Sequence, residues 1–225
     1  MIYYRGEINL KYLEIQNLNK TIKGIKVLDN VNISLDKGGI YGFIGRNGSG
    51  KTMLFRAICG LINIDSGYIK INGKELNKDI SFPESVGVII ENPGFWNEYT
   101  AIENLRILSE IKKIINDEDI ISQLDRVGLK SKKDIKYKKF SLGMKQKLAI
   151  TQAIMEKPDL IVLDEPTNGL DEESCTMIRK ILLEEKERGA TILIASHNKE
   201  DIDYLADKKF KIDNGKLKEI NDKEN

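Results

Sequence analysis

The chain has 225 residues, 40% apolar and 32% charged, enough to bury one large core with at most a subdomain. A net charge of +1 gives bulk electrostatics no pull toward nucleic acid or toward an acidic partner. No apolar run reaches the roughly 20 residues that a bilayer crossing needs, and the start Met1-Ile2-Tyr3-Tyr4-Arg5 lacks the basic-then-apolar order of a secretory signal. Cys59 and Cys175 have no metal-ligand spacing, so buried free thiols in a cytoplasmic protein are expected.

The first elements read as antiparallel strands: Tyr12 to Ile15, Val27-Leu28 and Val31 to Leu35. Lys37-Gly38-Gly39 is a turn, followed by a short buried strand, Ile40 to Ile44. Then comes Gly45-Arg46-Asn47-Gly48-Ser49-Gly50-Lys51-Thr52, which fits the phosphate-binding P-loop pattern G-x-x-x-x-G-K-[ST]. Its glycines let the backbone curl and turn N–H groups inward, and a helix over Met53 to Ile58 adds its positive end. In this pattern Lys51 meets the β- and γ-phosphates, and the Thr52 hydroxyl ligates Mg²⁺.

Beyond a turn at Asn63 to Gly67, Tyr68 to Ile71 reads as a strand with a hairpin-type turn at Asn72-Gly73, and Val86 to Ile90 as another strand. From Thr100 to about Val127 the period becomes helical, with Ile102, Leu105, Leu108 and Ile111 at three-residue steps and Thr100 and Glu103 placed as a capping box. Between Lys130 and Lys139 lies a run of lysines that reads best as a solvated face. Leu160 to Leu163 and Thr191 to Ala195 are continuous apolar runs of the kind that parallel central strands show. A helix from Glu172 to Arg188 joins them and stops at Gly189, and the tail beyond Lys216 is polar and expected to fray. Strands joined by helices in this order give an α/β fold with a mainly parallel sheet.

Leu160-Ile161-Val162-Leu163-Asp164-Glu165 ends an apolar strand on two acids, the pattern of a Walker B strand. Asp164 there faces the Mg²⁺ shell, and Glu165 can polarise an attacking water. Between the P-loop and these acids stands Phe140-Ser141-Leu142-Gly143-Met144-Lys145-Gln146, and after them Asn168-Gly169-Leu170-Asp171 and Ala195-Ser196-His197-Asn198. With these motifs, residues 12 to 218 resemble the ABC ATPase family. Ser141 and Gly143 match its signature, while Leu142 and Met144 depart from it.

The resemblance implies an ABC ATPase domain over 12–218. An antiparallel β part and a P-loop core span about 12–91 and 158–218, and a helical subdomain is inserted at about 92–157. Residues 1–11 form an extension and 219–225 a polar tail. It implies ATP and Mg²⁺ as cofactors and a second ATPase subunit, with a homodimer expected. The Ser141 and Gly143 clamp of one copy closes on the nucleotide held by the other. His197, the chain's single histidine, takes the place of the switch histidine at the γ-phosphate.

Two departures stand out. Ile22 occupies the place where most members stack an aromatic on adenine, so ATP over GTP rests on the family alone. Glu91 occupies the Q-loop glutamine position, close to Mg²⁺ and the attacking water. Glu91 and the Ser-Leu-Gly-Met-Lys-Gln signature resemble the bacitracin and lantibiotic export and self-protection branch, whose ATPases serve separate transmembrane permeases at the inner face of the cell membrane. A general ABC-2 type exporter and a non-transport ABC protein are the alternatives. Phe95 and Trp96 lie where the permease contact would fall in this family, or they pack within the helical subdomain.

Overall fold

The computed structural model describes residues 11–91, 94–197 and 199–220. The expected N-terminal extension, apart from Lys11, and the last five residues of the tail lie outside that set, as do Asn92, Pro93 and Asn198.

Two sheets organise the chain. A four-stranded antiparallel sheet contains β1 (Leu13–Ile22), β2 (Ile25–Leu35), β4 (Ser66–Ile71) and β5 (Lys74–Glu75), in the order β2-β1-β4-β5. The second sheet has six strands: β3 (Ile40–Ile44), β6 (Val86–Ile89), β7 (Leu160–Asp164), β8 (Thr191–Ala195), β9 (Lys208–Asp213) and β10 (Lys216–Ile220). Its order is β10-β9-β3-β8-β7-β6, parallel throughout except for the final β9–β10 hairpin.

The apolar runs explain this layering. Successive strand residues face opposite sides, so a strand buried on both faces must be apolar at every position. In β7, Ile161 and Leu163 enter one core, while Leu160 and Val162 enter the other. In β8, Ile192 and Ile194 join the first core, and Leu193 and Ala195 the second. The first core is covered by helices: α2 (Ala101–Ser109), α3 (Asp117–Arg126), α4 (Leu142–Ile154), α5 (Glu172–Glu187) and α6 (Lys199–Leu205). The second is closed by the antiparallel sheet and α1 (Lys51–Ile58), with Phe43 edge-on to Phe55 and stacked on Phe210, each pair 5.3 Å between centroids.

Several expectations are corrected. β1 runs well past Ile15, and the register shifts around Leu18 and Lys20 break the two-residue alternation that would have marked its second half. Asn17 and Asn30 take left-handed backbone there, with φ of 49° and 52°, and the side chains of Asn32 and Asn19 accept their N–H groups. The helical block is not continuous to Val127. It breaks after α2, and a second capping box, Asn116 with Asp119, restarts it at α3. Ile111, the last three-step residue, falls in the break and is 76% exposed. The chain beyond Lys216 does not fray up to Ile220. The Asn214-Gly215 turn, with both φ positive, folds it back as β10, and Leu217 packs on the second core. Cys59 is buried and its thiol is pushed up to about 12 by that burial, but Cys175 is only half-buried.

The capping box at Thr100 is present, and Gly189 follows α5 with φ of 98°, its N–H bonded to Lys186. The lysine run is solvated, with Lys130 and Lys138 paired to Asp125 and Glu98.

Candidate active site

Parallel strands gather their C-terminal ends on one edge of the sheet, and the candidate residues hang from that edge. β3 delivers the P-loop and α1. Gly45 sits so close to the β9–β10 arm that an added Cβ would lie 2.4 Å from the Ile212 carbonyl oxygen. Gly50, at the start of α1, has φ of 114°. Both positions therefore need glycine, one for space and one for backbone freedom.

Lys51 is buried, and its Nζ donates to the Gly45 carbonyl at 2.6 Å and to the Arg46 carbonyl at 3.2 Å. Thr52 Oγ1 donates to Asp164 Oδ2 at 2.6 Å, joining the start of α1 to the end of β7. Burial is the main cause that raises the Asp164 carboxyl above its ordinary range, and the charges of Glu165 and Glu91 add to it. Ser49 Oγ is buried without a hydrogen-bond partner inside the loop.

Glu165 follows Asp164 in left-handed backbone, φ 53°, a conformation that costs a non-glycine residue about 1 kcal/mol. Its carboxylate accepts the His197 N–H at 3.0 Å, and His197 Nδ1 lies 2.7 Å from Oε2. The histidine ring is otherwise 66% exposed and borders a cavity of about 650 Å³ on one side of the P-loop. On the other side a cavity of about 560 Å³ is walled by Ile22, Ile25 and Val27 and floored by Lys51, Asp164 and Glu165. Arg46 lines the first cavity, and Asn47, Gly48 and Ser49 line both.

Glu91 stands past the end of β6 with φ of 60° and pairs with Arg56 of α1, Nη2 to Oε2 2.9 Å. Ser141 and Gly143 line neither cavity. Ser141 caps α4 by accepting the Met144 N–H, and the α4 start rests on the loop after β7, with Leu142 against Gly169. Phe95 and Trp96 separate. Phe95 packs edge-on to Tyr137 in the helix-side core, while Trp96 is 46% exposed beside Tyr99.

Two residues of this neighbourhood carry no role in the sequence reading. Gln146 Nε2 donates to the Glu165 and Pro166 carbonyls, at 3.1 and 2.9 Å, and fixes the loop that holds Glu165. Arg56 meets Glu91. Gln146 was visible only as part of the signature helix, and Arg56 only as a helix residue one turn after Thr52.

The residues fit ATP. The cradle has no room for a side chain at Gly45, a lysine and a helix N-terminus converge on it, and a buried hydroxyl at Ser49 lacks a partner. The fold and this site define a P-loop ATPase.

Residues 28–168 match the ABC transporter family, and the chain belongs to it. It is 55% identical over 205 residues to the uncharacterised ABC transporter ATP-binding protein YybJ of Bacillus subtilis (strain 168), covering 91% of this chain and 94% of that one. It is 41% identical to the bacitracin transport ATP-binding protein BcrA of Bacillus licheniformis, covering 92% and 68%. It is 37% identical to the lantibiotic transport ATP-binding protein SrtF of Streptococcus pyogenes, covering 87% and 84%. A solved ATP-binding subunit of an ABC transporter superposes with a TM-score of 0.84 at 29% identity, over 92% of this chain and 88% of that one. The protein is thus an ATP-binding ABC ATPase. Among the described residues no helix is long and apolar enough to cross a membrane.

Proposed function

We propose that this ATPase powers export of a peptide antibiotic or related compound through separate transmembrane permease subunits, docked at the inner face of the membrane. Two copies bind two ATP molecules between them. The observation that carries the hydrolytic part is the Glu165–His197 pair beside the P-loop.

Lys51 exchanges the loop carbonyls for the β- and γ-phosphate oxygens. Thr52 and Asp164, already joined at 2.6 Å, are the residues that would hold Mg²⁺, with Glu91 as a further candidate, and the ion would supply charge neutralisation across the phosphates. Glu165 accepts the proton of the water that attacks the γ-phosphorus while the bond from that phosphorus to the bridging oxygen breaks and ADP leaves, and His197 keeps the carboxylate oriented toward that water. Ile22 and Ile25 offer the base an aliphatic wall. Ser141 and Gly143 complete the phosphate clamp on the partner subunit's nucleotide.

The cargo reading rests on Glu91 in the Q-loop position and on the similarity to BcrA and SrtF. A general exporter is the second reading, favoured by the similarity to YybJ, whose name assigns no cargo. Co-purification with the permease, followed by ATPase assays against bacitracin and lantibiotics, separates them. Stimulation by one of these peptides is expected. Indifference to all of them, together with stimulation by unrelated compounds, would favour the general exporter.

A further inference from the structure

Arg56 lies four residues after Thr52 on α1, so both side chains share one face of that helix. Three carboxylates surround this corner. Asp164 is bonded to the Thr52 hydroxyl, Glu165 to the His197 backbone and ring, and Glu91 to the Arg56 guanidinium. Among these partners Arg56 alone carries a permanent positive charge, because a guanidinium does not deprotonate. Lys51, a second cation on the same helix, is committed to the loop carbonyls and so to the phosphate position.

This arrangement meets a specific difficulty. A carboxylate at position 91 adds negative charge beside a site that must accept a polyphosphate. Ile89 pairs with Leu163 in the parallel β6–β7 ladder, so the chain reaches Glu91 beside the end of β7 that carries Asp164 and Glu165. Glu91 is held in left-handed backbone at the strand end and its side chain is 60% exposed, so the ion pair with Arg56 is the contact that fixes its carboxylate.

We propose that Arg56 is a positioning residue for Glu91, offsetting its charge and tethering its carboxylate at the rim of the nucleotide site so that ATP binds beside three acids. The proposal rests on the reading of the P-loop cavity as the ATP site. It goes beyond that reading by making the need for Arg56 conditional on the acid at position 91.

The test is a double-mutant cycle on the full chain, reading equilibrium binding of Mg²⁺ with trinitrophenyl-ATP rather than turnover. With Glu91 present, Arg56→Met should weaken binding about fivefold, the upper range for an exposed ion pair. In a Glu91→Gln chain the same change should cost less than about 1.5-fold, since no carboxylate is left to offset. Arg56→Lys should restore most of the affinity with Glu91 present, and Arg56→Gln should not. Equal losses in both backgrounds would overturn the proposal, because Arg56 would then serve the fold or the phosphates directly. So would no loss in either. The thermal midpoint without nucleotide separates a folding defect, and Arg56→Gln stands in if Arg56→Met does not fold. A parent chain that binds no trinitrophenyl-ATP would instead sink the reading of the cavity, a distinct result.

Discussion

The P-loop corner and the start of α4 make an instructive contrast. At the P-loop corner four side chains are held within the chain: Lys51 by loop carbonyls, Thr52 by Asp164, Glu165 by His197, Glu91 by Arg56. At the start of α4, Ser141 only caps its own helix, Leu142 is 65% exposed, and Gly143 borders the loop after β7. One region is finished within the chain, and the other presents a helix N-terminus outward. Groups that must hold charge in a fixed place are cross-linked within the chain, whereas groups that must meet a second body are left on the surface. The contrast supports a site divided between two subunits.

The largest expected effect strikes the finished region. Glu165→Gln should lower ATP turnover by a factor on the order of 10³ while ATP binding persists, and gel filtration with ATP should then show a trapped dimer. Turnover at the parent rate would remove Glu165 as the base. Next comes a test of the division itself. Lys51→Ala and Ser141→Ala should each depress turnover, but an equimolar mixture should exceed both, because half the mixed dimers' sites combine two intact halves. No gain on mixing would break the contrast. Ser141→Ala should also cost about 1 kcal/mol of stability through the lost helix cap, read by chemical denaturation.

A smaller effect concerns the join between the two regions. An added Cβ on Gly169 would lie 2.6 Å from Leu142 Cδ2, and its φ is 75°. Gly169→Ala should therefore destabilise by about 2 kcal/mol, and Leu142→Gly should recover part of that, leaving the backbone strain. Full additivity of the two changes would show that the contact carries nothing.

The smallest is a pH effect at Asp164. Its carboxyl is raised above its ordinary range in the folded chain, chiefly by burial, so folding favours the protonated form. The charged form opposes folding at neutral pH, and that opposition fades as pH falls through the folded value toward the ordinary one. Asp164→Asn should raise the thermal midpoint of the nucleotide-free protein near pH 7, with the gain shrinking on acidification. A gain that grew toward low pH would contradict the burial argument.

The sequence disclosed what is written in consecutive residues. The P-loop, the strand ending at Asp164 and Glu165, and the place of His197 are all local patterns, and the sheet's two-faced burial follows from unbroken apolar runs. What depends on distant partners was not legible. The extension of β1 needs Asn19 and Asn32 to satisfy a bulge across the hairpin. The strand β10 needs β9 beside it, since Lys216 to Ile220 alone reads as polar tail. Gln146 and Arg56 act on groups 19 and 35 positions away, so no motif marks them. The left-handed backbone at Glu91 and Glu165 is imposed by the strand ends rather than by residue preference.

Four positions described here stand at, or within two residues of, the last position of a parallel strand: Gly45 after β3, Glu91 after β6, Asp164 on β7, His197 after β8. Their spacing is therefore inherited from the pitch of the sheet, with neighbouring strands about 4.8 Å apart and residues about 3.3 Å along them. The sheet works as a ruler that the side chains do not alter. A different residue can be tried at one graduation, as glutamate has been at position 91, without moving the others. Lengthening a strand by one residue would slide its mark and turn it to the opposite face, so substitutions should be tolerated along this edge and insertions should not.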